Sequence, residues 1–123
     1  MGYARAMRNL AAFALCALIA GCAADQTTSE RTSYARQIEP ILLAKCTNSS
    51  GCHSGASAAG ALDVTSYDRL VQRSDLLQLP PTGAPLLLAK ASGSPHAGGV
   101  QLVVGSDVYL AILHWLDDGA PEN

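Results

Sequence analysis

The chain has 123 residues, enough for one domain at most. Its formal net charge of −2 lacks the basic excess of a nucleic-acid binder. One tryptophan and one phenylalanine exclude a large aromatic core and leave apolar packing to Leu, Val, Ile and Ala.

The first stretch reads as a targeting segment. Arg5 and Arg8 precede an apolar run from Leu10 to Ala20, followed by small residues. The run is too short to span a membrane comfortably and fits a secretory signal over residues 1–21. Ile19-Ala20-Gly21-Cys22 resembles the bacterial lipobox, which makes Cys22 the expected lipidation site and first mature residue. The chain is then expected in the cell envelope, as a periplasmic or outer-membrane lipoprotein held to the membrane by its lipid. An ordinary signal cleaved nearby, with Cys22 uninvolved, is the other reading. Loss of residues 1–21 removes Cys16, Phe13 and both methionines, Met1 and Met7. It also shifts the charge to −4, since Arg5 and Arg8 go while all ten acids stay.

Residues 22–32 are small and polar and read as a tether. The folded domain is expected over 33–123. Ser33 to Cys46 has helical spacing, with Tyr34, Ile38, Ile41, Leu42 and Lys45 three or four apart. Pro40 predicts a kink there, or a helix restarting at that residue. Either way Cys46 falls at the helix end. Thr47 to Gly60 reads as a loop. Ser66 to Arg73 predicts a short helix capped by Ser66, Gln78 to Pro85 a turn-rich connector, and Leu86 to Ala91 another short helix. Ser92 to Gly99 is a loop carrying His96, and Val100 to Val104 could be a short extended piece.

Ser106 to Asp118 is the clearest helix. Ser106 caps it, Asp107 suits its first turn, Gly119 ends it, and Pro121 lies beyond. Val108, Ala111, Ile112 and Trp115 form its apolar face, widened by Tyr109 and Leu116. His114 falls on the opposite side, with Asp118 one turn on, and reads as a solvated helix residue. The expected class is all-α: a small helical domain with long loops.

The chemistry concentrates at Cys46-Thr47-Asn48-Ser49-Ser50-Gly51-Cys52-His53. Two cysteines with a histidine directly after the second match the order needed to attach haem c: two thiols for the vinyl groups, then an imidazole for the iron. Five residues separate the cysteines, where the usual motif has two. With one covalent haem c, Cys46 and Cys52 are the attachment sites and His53 the proximal iron ligand. The sixth position is commonly Met or His, or open. The mature chain has no methionine. His96, in a loop where glycines allow close approach to a flat ligand, is the expected sixth ligand, with an open or water-bound position as the other outcome.

These pieces, in order, resemble the cytochrome c-like domains of bacterial lipoproteins of the planctomycete and myxobacterial type. The similarity runs through Ile38-Glu39-Pro40-Ile41-Leu42, Cys52-His53-Ser54-Gly55, Leu62-Asp63-Val64-Thr65-Ser66-Tyr67 with Leu70, His96-Ala97-Gly98-Gly99, and Trp115-Leu116-Asp117-Asp118-Gly119-Ala120-Pro121. The resemblance implies a cytochrome c-like fold with the terminal helix packed through Trp115 across the helix ending at Cys46. It further implies a role in extracytoplasmic electron transfer with a redox partner protein. The family's Met-Pro-Pro ligand motif has only Leu79-Pro80-Pro81 as counterpart, and leucine cannot bind iron.

A second reading keeps the chain haem-free, a binding or structural lipoprotein module stapled by a Cys46–Cys52 disulfide. A third gathers Cys46, Cys52, His53 and His96 around zinc. No catalytic constellation stands out, so an enzyme is not expected.

Overall fold

The computed structural model describes residues 31–47 and 52–123. The signal segment, Cys22, most of the tether and Asn48 to Gly51 between the two cysteines lie outside the described residues.

The domain begins with a wide π-type turn, Tyr34–Ile38, that runs into α1, Glu39–Cys46. Proline dictates this arrangement. Pro40 has no N–H to give to a carbonyl one turn back, so it sits at the start of α1, where none is required. The turn ahead of it takes up the change of register. Its opening is tied to the chain's last residue. Ser33 Oγ donates to Asn123 O at 2.8 Å, Tyr34 N–H to Asn123 Oδ1 at 2.8 Å, and Ala35 N–H to Asn123 O at 3.2 Å.

After a 3-10 turn, Ala59–Ala61, come α2 (Tyr67–Val71), α3 (Ser74–Leu77), α4 (Leu86–Ala91) and α5 (Asp107–Asp117). Ser66 and Ser106 cap α2 and α5, each hydroxyl accepting the N–H three residues on. The helix expected over Ser66 to Arg73 is shorter than that, and α3 follows it as a separate turn of helix. Between them Arg73 takes a non-helical conformation and its side chain grips Asp75 through two nitrogens, at 2.9 and 2.8 Å. α4 has the expected bounds. Val100 to Val104 forms no strand, and the described residues contain only helices, turns and irregular backbone.

One core holds these pieces together. Trp115, Ile38, Leu42, Leu70, Leu88, Ile112 and Val64 are fully enclosed. Burying each aliphatic side chain stabilises the fold by roughly 1.5–3 kcal/mol before the entropy of ordering is counted. α5 is buried through Tyr109, Ile112, Trp115 and Leu116, while Val108 and Ala111 are half-buried and His114 is exposed. Trp115 rests against Tyr34 in the opening turn, with ring centres 5.6 Å apart, so α5 crosses the start of the first helical segment, ahead of α1. Tyr67 stands edge-on to Tyr34 at 5.1 Å. Two polar tips then lock the chain end: Trp115 Nε1–H donates to Pro121 O at 2.9 Å and Tyr67 Oη to Ala120 O at 2.8 Å. Gly119, at φ +89°, supplies the left-handed step that turns the chain off α5.

Candidate functional site

Cys46 ends α1, as its sequence position predicts, and is buried. The enclosure is apolar enough to push its thiol up to about 11. At neutral pH that leaves its thiolate roughly a hundredfold rarer than that of an ordinary exposed cysteine. The main chain brings the second cysteine's neighbour back to this point: His53 N–H donates to Cys46 O at 3.1 Å. Cys52 and His53 are both half-buried.

The loop after His53 folds over the imidazole. Ala59 N–H donates to Cys52 O at 2.7 Å and Val64 N–H to His53 O at 3.0 Å. Inside that arch, His53 Nδ1 lies 3.0 Å from Ala59 O. A carbonyl can only accept, so Nδ1 carries the proton and the lone pair sits on Nε2. Arg73 reaches the arch from outside and donates through Nη1 to Gly60 O.

His96 repeats the arrangement in its own loop. Its Nδ1 lies 3.0 Å from Gly99 O, while Gly99 N–H donates to His96 O at 2.9 Å. Lys90 Nζ donates to Pro95 O at 3.0 Å and Gln101 Nε2 to Gly98 O at 2.5 Å, bracing both sides of the loop. Glycine at 98 leaves room for the ring. A Cβ there would sit 2.8 Å from His96 Cε1.

The two imidazoles, remote in sequence, meet in space. Their ring centres are 5.9 Å apart and their planes differ by 11°. That separation, with nearly parallel planes, is that of an offset-stacked ring pair. Two imidazoles bound on opposite sides of one metal ion, with nitrogen–metal bonds near 2 Å, would also have ring centres about 6 Å apart. Each ring has its Nδ1 tied to a backbone carbonyl, the usual outer partner of a metal-bound histidine, which leaves Nε2 as the ligating atom. Two imidazoles with Nδ1 engaged and Nε2 left as the donor are ligand types that a haem iron takes.

No family model, curated protein or solved structure matches this chain. The site accordingly rests on its own geometry.

Among the described residues, no group of three or more His, Cys, Asp or Glu side chains is gathered to hold a metal ion. Two open grooves, of about 420 and 370 Å³, lie elsewhere: one between Tyr67, Val71 and Leu116, the other around Leu79, Pro80 and Leu86. Neither is lined by a cysteine or histidine. Directly after the His96 loop, Val100, Val103 and Val104 are about two-thirds exposed. His114 faces solvent on α5. No helix among the described residues is long and apolar enough to cross a membrane.

The sequence reading missed the residues that brace the histidines. No bracing role is read from the sequence for Arg73, Lys90, Gln101 or Gly98, and Asp63 and Gly98 enter only as parts of longer matching stretches. Asp63 had a readable signal, since an Asp two residues before a Thr is a frequent turn that closes on its own backbone.

Proposed function

We propose that the chain is a membrane-anchored, monohaem c-type cytochrome that carries electrons outside the cytoplasm. One juxtaposition carries this reading: His53 and His96, picked out separately by motif and by loop chemistry, lie with ring centres 5.9 Å apart, each with its Nδ1 bonded to a backbone carbonyl and its Nε2 left as the donor. Cys46 and Cys52 would hold the haem through thioethers, and the two Nε2 atoms would hold its iron. When bound, the haem supplies a reversible one-electron change at its iron.

The protein's own residues set the conditions for that change. Ala59 O and Gly99 O accept from the two Nδ1–H groups, which makes both imidazoles stronger donors and favours the more highly charged iron. Ligation by two histidines also places the potential below that of a Met/His site. Val100, Val103 and Val104 offer apolar surface beside the His96 loop for a flat apolar group. The lipid on Cys22 would tether the domain to the membrane, with a redox protein as partner.

The haem-free alternative, a lipoprotein module with a Cys46–Cys52 disulfide, has less behind it. A disulfide gives no account of the paired imidazoles. His96→Ala tests the proposal. The mature, haem-loaded protein should convert from a low-spin to a high-spin spectrum, and an unchanged spectrum would remove His96 from the iron.

A further inference from the structure

Asp63 is the one charged side chain buried among the described residues, at 7% exposure. A carboxylate kept from water must be repaid by hydrogen bonds. Its Oδ1 accepts from Thr65 N–H at 2.9 Å and from Thr65 Oγ1–H at 2.6 Å. Gly55 N–H also bonds the carboxylate, and the Arg69 guanidinium stands 3.6 Å from Oδ2. Together these partners hold the carboxyl below the usual range.

The placement of these partners matters more than their number. Gly55 lies two residues after His53, at the start of the loop that arches over the imidazole. Thr65 lies just past the end of that loop. The adjacent Val64 N–H meets His53 O, so residues 53 and 55 are held by residues 64 and 63. Inside this closed loop the Ala59 carbonyl is held over His53 Nδ1. Loosening the closure lets Ala59 O and the imidazole drift apart. The ring then loses the partner that fixes its tautomer.

We propose that Asp63 is the positioning residue for His53, its carboxylate closing the Cys52–Val64 loop so that Nε2 is presented to the metal. This deepens the function proposed above and rests on His53 being an iron ligand. Substituting Asp63→Asn keeps the shape and replaces one acceptor oxygen with a donor that cannot serve Gly55, Thr65 or Arg69.

The first measurement uses haem-free protein at mildly alkaline pH and reads the His53 tautomer from imidazole nitrogen NMR shifts. The unsubstituted chain should hold its proton on Nδ1. Asp63→Asn should move the ratio at least threefold toward the Nε2–H form that free imidazole prefers, while amide protection in α5 stays as it was. The same shift, smaller, is expected for Thr65→Val, which removes one of the carboxylate's donors and leaves the charge. In haem-loaded protein, Asp63→Asn should add a high-spin fraction absent from the unsubstituted chain. An unchanged tautomer ratio in folded Asp63→Asn overturns the proposal. So does a loss of α5 protection in parallel with the loop, because Asp63 then supports the whole core and not the ligand. If the chain carries no haem at all, the function proposed above fails, while the tautomer measurement still decides the role of Asp63.

Discussion

Replacing Gly98 with alanine separates the site from the fold. The new Cβ would lie 2.8 Å from His96 Cε1 and 3.3 Å from Nδ1. Ordinary carbon contacts begin near 3.5 Å, so the ring must retreat by roughly 0.7 Å. Gly98 does not adopt a left-handed φ, so alanine suits the backbone. The group that must yield is the far end of a half-exposed side chain in a surface loop. Fold stability should therefore change by less than about 1 kcal/mol, helped by the reduced freedom of the unfolded chain. A metal–nitrogen bond tolerates only about 0.2 Å of error. The same displacement should thus cost the iron its second imidazole. Gly98→Ala is expected to show a high-spin visible spectrum with a urea midpoint close to that of the unsubstituted protein. A fully low-spin spectrum would refute the placement of His96. A loss above about 2 kcal/mol would refute the claim that the loop yields cheaply.

Two further outcomes follow from other parts of the molecule. In haem-free protein, the Cys46 thiol at about 11 against an ordinary 9 means that the folded chain holds its proton more tightly than the unfolded one. That stabilisation is complete below pH 9 and is lost as pH rises to 11, about 2–3 kcal/mol in all. Cys46→Ala should flatten the stability profile across that window, and an unchanged slope would contradict the burial. Deleting Asn123 removes the three hydrogen bonds that tie the chain end to Ser33, Tyr34 and Ala35. Thermal or urea unfolding should report a loss of about 2 kcal/mol, with the spectrum of the haem-loaded protein unchanged.

The helices were legible where local signals agreed with tertiary demands. Around α5, a serine cap, a first-turn aspartate, an apolar stripe and a terminal glycine all point the same way. α4 was equally plain, bounded by a proline and a glycine-rich loop. The opening turn was harder, because Pro40 announces a break without saying that a π-type turn will absorb it. α3 is four residues long, too short for any periodicity to show. At the candidate site, the two histidines could be singled out in the sequence and their juxtaposition could not. His53 could be read from its neighbour Cys52, and His96 from its glycine-rich loop. The 5.9 Å between the rings comes from long-range packing that no local pattern encodes. The braces were hidden for the same reason. Arg73 acts through Gly60, and Asp63 through Gly55, each across a loop whose closure only the fold defines.

The most direct test is the mass of the mature protein, purified from cells with haem-maturation machinery and measured after denaturation. A mass increased by one haem, with absorbance that stays with the unfolded polypeptide, is the predicted result. A colourless chain lighter by two hydrogens would mean that Cys46 and Cys52 are bonded to each other, and it would contradict the account.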